Sequence, residues 1–235
     1  MGIFSRRKDH PQQEILVQDC PFVVLDTELT GLDDRRDSIV SVGAVRMRGC
    51  RIDLSQTFNR LVKPETELRY DSILIHGITP SDVDKQPRIK AVLSDFSTFC
   101  ARDILIGYCI SIDMAFLNRQ MKRCMGGPLP NRALDIYRLY EWLRNRFERK
   151  GSSDRRFPVL GESGLYEMAK LYAIPFGGAH DALVDAFITA QVFQRLLCML
   201  SEEGIIYVRD LLKIGDPYKG DELFSRGNEK IHFQF

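Results

Sequence analysis

The chain has no excess of charge of either sign: 33 basic residues face 32 acidic ones, for a formal net charge of +1 at pH 7. This excludes a global basic field that gathers nucleic acid by electrostatics alone, so any such binding has to come from a local patch or from metal ions. No two of the six cysteines (Cys20, Cys50, Cys100, Cys109, Cys124, Cys198) are spaced as CxxC, and no Cys/His spacing suggests a zinc site. They read as small core residues or free thiols of a reducing compartment. No run of about 18 apolar residues occurs, so no membrane span is expected. The opening MGIFSRRKDHPQQE holds no apolar core of signal-peptide length, and Arg6 stands where a myristoylation pattern wants Ser or Thr. The expected location is cytoplasmic. Internal repeats and low-complexity segments are also missing.

What is present is globular material: 235 residues, 44% hydrophobic, 10% aromatic and 28% charged, enough for one sizeable core. Residues 1–19 are polar and read as a flexible arm, residues 20–200 as the main domain, and residues 201–235 as a short helix (206–212) and a tail. PFVVLDT, IVSVGAVRM and RIDLSQTFNRLV read as three successive strands, punctuated at Gly31 and Gly49, so the opening predicts a β-meander. Residues 64–87 hold turn residues without sustained periodicity. Ile89, Val92, Leu93, Phe96 and Cys100 have helical spacing. DILIGY reads as a buried strand, followed by a helix over 111–124, a short ALDI edge strand and helices over 137–147, 164–172 and 182–200. Strands first, then strands mixed with helices, argue for an α/β fold with a mixed sheet flanked by helices.

Carboxylates interrupt these apolar elements at telling places. Asp26 and Glu28 stand at the end of the first strand, and residues i and i+2 of a strand point to one face. Two like charges side by side repel and are costly to desolvate unless a cation sits with them. Oxygen ligands favour Mg²⁺ or Mn²⁺ over zinc. An exposed loop after the strand would also accommodate the pair. Asp113 lies in the first turn of a helix, where an acid is favoured by the helix dipole alone. Asp185 sits beside the apolar stripe of the last long helix and needs a partner there. His180, five residues earlier and after Gly177 and Gly178, belongs on a loop or first turn leaning over Asp185. Its ordinary pKa suits a general base, although a hydrogen-bonded structural role fits a lone histidine equally.

Order and spacing add what each signal lacks. The run LDTELTGL, then IHGIT, then an Asp opening a helix after a strand, then HDALVDAFITAQVF, resembles the DEDDh branch of the 3′→5′ exonuclease superfamily. That branch includes the proofreading epsilon subunit of bacterial DNA polymerase III, ribonuclease T and oligoribonuclease. Asp26, Thr27, Glu28, Thr30 and Gly31 match its first motif, and His180, Ala182, Leu183, Asp185, Ala186 and Thr189 its last. The resemblance implies an RNase H-like exonuclease fold with two divalent ions (Mg²⁺, with Mn²⁺ able to substitute), held by Asp26, Glu28, Asp113 and Asp185, and with His180 as general base. It implies release of nucleoside 5′-monophosphates from the 3′ ends of single strands. Asp26, Glu28, Thr27, Asp71, His76 and Asp185 would contact substrate, His76 near the terminal nucleotide or in a purely structural role. A DNA polymerase is a partner by resemblance only.

Departures bear on what the enzyme prefers. Relatives often show His-Asn-Ala-x-Phe-Asp where this chain has Tyr108-Cys109-Ile110-Ser111-Ile112-Asp113, with Leu29 in place of a Thr and Ser41 in place of a Glu. The metal-site Asp is kept, while an amide and an aromatic ring that would support substrate are not. The basic stretch 144–156 reads as an exposed loop, either a track for the strand upstream of the 3′ end or a solvated surface. Single-stranded DNA is the leading substrate. RNA 3′-end trimming is the rival within enzymes, since no residue identifies a reader of the 2′-OH. A non-catalytic binding module is the rival outside them.

Overall fold

The first nine-residue strand, β1 (Pro21–Leu29), lies at the centre of a five-stranded sheet of order β3-β2-β1-β4-β5. The computed structural model describes residues 15–150, 157–161, 164–178 and 180–219. β2 (Ile39–Arg48) and β3 (Arg51–Leu61) pair antiparallel beside β1, turning at Gly49 in the left-handed region with φ +53°. β4 (Ile104–Gly107) and β5 (Ala133–Asp135) pair parallel on its other side. Eight helices are described: α1 (Tyr70–His76), α2 (Pro80–Val83), α3 (Ile89–Cys100), α4 (Ser111–Met125), α5 (Ile136–Arg149), α6 (Gly164–Leu171), α7 (Ala182–Glu202) and α8 (Val208–Ile214). This is the mixed sheet flanked by helices that the sequence predicts.

Alternation along β1 divides the core. Val23 and Leu25 pack with Val92, Leu93 and Phe96 of α3 and Phe116 and Leu117 of α4 on one face. Phe22 and Val24 pack with α5, α6, α7 and α8 on the other, where the Phe22 and Phe193 rings meet edge to face at 5.4 Å. Each such fully buried side chain contributes about 1.5–3 kcal/mol relative to exposure. The same parity carries on past the apolar residues: Asp26 and Glu28 continue the α7 face, and Thr27 continues the α4 face.

Two devices set α7 against the sheet. Asp181 caps it, its carboxylate accepting the Leu183 and Val184 N–H groups at 3.0 and 3.1 Å. Gly43 of β2 lies directly under its first turn, where a Cβ would overlap the Ala182 carbonyl and the Leu183 nitrogen. Among the described helices, α7 alone is long and apolar enough to cross a membrane, but 56% of its most apolar stretch is buried inside the molecule and it packs on β1 and β2 as a core helix.

Several segments differ from expectation. Residues 64–87 contain α1 and α2, each too short for helical periodicity to show. Arg144, Arg146 and Arg149 lie on α5 rather than on a loop, because its apolar stripe (Leu139, Tyr140, Leu143) carries the helix through to Arg149. Arg144 pairs with Glu141, and Arg146 and Lys150 both pair with Glu203, while Arg149 is exposed. Arg155 and Arg156 fall outside the described residues. Residues 15–19, read as the end of a loose arm, are pinned: the Val17 N–H donates to the Ile206 carbonyl, the Val208 N–H to that of Ile15, and Val17 is buried. α8 likewise enters the core through Val208, Leu211 and Leu212.

Candidate active site

Carboxylates of β1 and α7 meet at the end of the sheet. One ligand oxygen from each of Asp26, Glu28 and Asp185 lies within 4.8 Å of the others. Glu28 and Asp185 are buried and Asp26 is partly so. Asp113, in the first turn of α4, arrives from the opposite face of the sheet and lines the same cleft without joining that group of three. Its Oδ1 accepts the Thr27 hydroxyl at 2.6 Å, so the strand residue between Asp26 and Glu28 holds the fourth carboxylate. Thr27 acts through Asp113.

Packing four acids into one cleft raises their pKa values. Burial and then repulsion from Asp113, Glu28 and Asp185 hold Asp26 well above the usual carboxylate range. Burial pushes Glu28 up to about 8, with Asp185 and Asp113 adding to it. Burial lifts Asp113 to about 7 against the opposing Thr27 hydrogen bond. Asp185 is raised by burial and held back by the Tyr166 hydroxyl and by His180. Its Oδ1 is buried with no hydrogen-bond partner. An all-oxygen donor set, mutual repulsion and an orphaned carboxylate oxygen together fit hard divalent cations.

His180 lies just before α7 in the left-handed region, φ +65°, as a loop residue lining the cleft. Its N–H lies 3.1 Å from Asp185 Oδ2 and 3.0 Å from the Tyr166 oxygen. The Tyr166 hydroxyl donates to the same Asp185 oxygen at 2.7 Å. The Tyr166 ring stands edge-on to the His180 imidazole at 5.3 Å and stacks on Phe176 at 5.4 Å. Tyr166 is the residue that sequence reasoning missed. It sits in an amphipathic helix pattern, and nothing in GLYEMAKLY distinguishes a tyrosine aimed at a site from one packed in a core.

The altered second motif still delivers Asp113. Cys109 takes the left-handed region at φ +50°, and its N–H donates to Asp135 Oδ1 at 3.0 Å, an oxygen that also caps α5 through the Tyr137 N–H at 2.9 Å. One buried carboxylate, pushed up to about 6 by its burial, thus ties the β4–α4 turn to the next helix. Tyr108 lines the cleft and lies over Gly164, where a Cβ would strike its hydroxyl.

The cleft has a volume of about 290 Å³, with Leu29, Leu32, Ile75, Tyr108, Ile112 and Leu165 on its apolar side. His76 lines it too. Its Nδ1 accepts the Ile78 N–H at 3.0 Å, while its Nε2 is buried without a partner. Burial and the nearby His180 lower its pKa, favouring the neutral ring. Asp71, the other candidate on α1, is exposed and does not line the cleft, because its neighbour Ser72 takes the buried, cleft-lining position of that turn and one step along a helix turns the side chain by about 100°. Asp26, Thr27, Glu28, His76, Asp113, His180 and Asp185 all line it.

Comparison with known proteins places this geometry. The family model described as Exonuclease matches residues 23–193. The chain is 31% identical over 198 residues to the PolC-type DNA polymerase III of Thermotoga maritima, covering 84% of this chain and 13% of that protein. It is 26% identical over 210 residues to the Staphylococcus aureus counterpart, covering 88% and 14%. It therefore spans about one seventh of the length of these curated relatives. Among solved structures, E. coli exonuclease I in complex with a dT13 oligonucleotide is similar at a TM-score of 0.65 and 18% identity, covering 79% of this chain and 43% of that one. Exonuclease X in complex with 5′ overhanging duplex DNA is similar at a TM-score of 0.57 and 20% identity, covering 83% and 98%. The fold is RNase H-like.

Proposed function

Since the chain belongs to the exonuclease family, within the DEDDh 3′→5′ superfamily, we propose that it removes nucleoside 5′-monophosphates from the 3′ ends of single-stranded DNA. The observation that carries this is the convergence of Asp26, Glu28 and Asp185 oxygens within 4.8 Å, with Asp113 and His180 lining the same cleft. Asp26, Glu28, Asp185 and Asp113 would hold two divalent ions, Mg²⁺ by the hardness of the donor set. Bound ions supply charge neutralisation at the scissile phosphate and at the leaving oxygen.

The remaining work falls to the chain's own groups. The His180 imidazole takes the proton of the attacking water, in a loop fixed by its N–H contacts to Asp185 and Tyr166. The unpartnered His76 Nε2 meets the terminal nucleotide, and the apolar wall of Leu29, Ile75, Tyr108 and Ile112 receives its base and sugar. This wall takes over from the amide and ring absent from the second motif. DNA is favoured over RNA by the DNA complexes among the structural neighbours. The reading includes association with a DNA polymerase, supported by the similarity to PolC-type DNA polymerase III.

The test compares the wild type with Asp26→Ala on matched 5′-labelled single strands of DNA and RNA. Mg²⁺-dependent shortening from the 3′ end that vanishes in Asp26→Ala is expected, with DNA degraded faster. Faster loss of RNA would assign the chain to RNA trimming. No shortening of either strand in Mg²⁺ or Mn²⁺ would leave a binding module.

A further inference from the structure

The catalytic cleft opens toward the loop between β1 and β2 on one side and α4 on the other. Leu32 of that loop and Ile112 of α4 line the cleft. Directly beyond them, Asp34 and Arg35 of the loop and Ser111, Ala115, Arg119 and Lys122 of α4 line a second groove of about 770 Å³. Ile112, Arg119 and Arg123 are spaced seven and four residues apart, so one face of α4 runs from the cleft into this groove for about 17 Å.

The charges in the groove are out of balance. Arg35, Arg119 and Lys122 are exposed, and among the described residues none of their side chains forms an ion pair. Arg123 pairs with Glu65 at 2.5 Å, which removes both from the count and leaves Asp34 as the sole opposing acid lining the groove. Arg119 and Lys122, at i and i+3, therefore put two unpaired cations side by side on α4. Arg144 and Arg146 of α5 and Lys150 at its end differ, since each is paired with an acid within the fold. Exposed, unpaired like charges on a face that runs toward a phosphodiester-cleaving site fit a polyanion.

We propose that this groove carries the sugar-phosphate backbone of the single strand immediately 5′ of the nucleotide held in the cleft, with Arg35, Arg119 and Lys122 on its phosphates. The proposal rests on the exonuclease reading above and replaces the 144–156 stretch as the upstream track. It makes occupancy of the active site dependent on strand length, because a short oligonucleotide fills the cleft and not the groove.

The test reads binding separately from hydrolysis. Anisotropy of 5′-labelled oligothymidylates of about four and about 15 nucleotides is followed against salt in Ca²⁺, with gels confirming that the strands stay intact. The full chain is compared with Arg119→Glu/Lys122→Glu and with a control of equal charge change placed elsewhere, Arg51→Glu/Lys90→Glu. The groove variant is expected to bind the longer strand at least about tenfold more weakly, with a log–log salt slope shallower by about 1.4, two phosphate contacts at about 0.7 each. The control should bind like the wild type and keep its activity. If the reversal fails to fold by circular dichroism, Arg119→Gln/Lys122→Gln should show a smaller loss in the same direction.

Unchanged affinity and slope in the groove variant would overturn the proposal, and so would an equal loss in the control. Absence of Mg²⁺-dependent shortening by the wild type would defeat the hydrolytic reading instead, and the binding comparison would still decide the groove.

Discussion

The hydroxyl of Tyr166 donates to Oδ2 of Asp185 across 2.7 Å and accepts the backbone N–H of His180 at 3.0 Å. One oxygen therefore fixes a carboxylate of the candidate metal site against the loop that carries the proposed base. Tyr166 is a positioning residue by this geometry. Tyr166→Phe is expected to lower kcat about tenfold, the loss of a hydrogen bond to a charged group at about 1.5 kcal/mol, with little change in KM. An unchanged kcat would show the hydroxyl to be packing only. Tyr166→Ala should cost more, because the stacking on Phe176 goes too.

Thr27 offers a second separation of contact from bulk. Thr27→Val keeps the shape but removes the 2.6 Å hydrogen bond to Asp113, leaving a buried carboxylate oxygen short of a donor at about 1–3 kcal/mol. Activity should fall about tenfold or more, and the Mg²⁺ concentration for half-maximal rate should rise. Thr27→Ser should restore most of both. Equal rates for all three proteins would leave Asp113 positioned by the backbone alone.

The raised carboxylates predict how chelated protein responds to pH. Unfolded, these acids titrate near about 4, whereas in the fold Asp113 and Glu28 titrate at about 7 and about 8, with Asp26 also raised. Between those limits the folded state binds more protons, so stability is lost as pH rises. In EDTA, Tm should fall by several degrees from pH 5 to pH 8, and Mg²⁺ should reverse most of the fall at pH 8. Glu28→Gln should flatten the profile. A Tm in EDTA that stays constant or rises over this range would contradict the burial and crowding that raise these carboxylates.

Gly43 is tested by adding one methyl group. In Gly43→Ala the Cβ meets backbone atoms of Ala182 and Leu183, which no rotamer change relieves. Overpacking of about 1–3 kcal/mol should lower Tm by about 2–4 °C per kcal/mol. Activity at a temperature where the variant is folded should fall further than that of a core variant of equal Tm. A match between the two would detach Gly43 from the site.

The sequence makes some of this legible and hides the rest for physical reasons. β1 is readable because β-branched and apolar residues run unbroken into Asp26 and Glu28, and a strand's period of two then puts both acids on one face. The α7 stripe is readable over more than five turns. α1 and α2 span seven and four residues, less than the window in which a period of 3.6 stands out from noise. The resemblance points to His76 and, as a weaker match, to Asp71; one lines the cleft and the other is exposed, since their orientation depends on how α1 docks. Tyr166 and the Thr27–Asp113 bond are contacts 19 and 86 residues apart in sequence. Only tertiary packing brings such partners together. Residues 144–149 mislead because their charge hides the stripe of α5 on the opposite face.

The seat of α7 on Gly43 also gives the site mechanical insulation. Where helix and sheet touch through main-chain atoms, no side chain acts as a spacer, so their separation at Ala182 is not adjustable by repacking. Further along, α7 rests on deformable side chains such as Phe193, Leu197 and Leu200. A core substitution that tilts α7 about this contact would displace its Leu200 end more than Asp185, which lies one turn from Ala182. The candidate site thus sits at the least adjustable point of the helix.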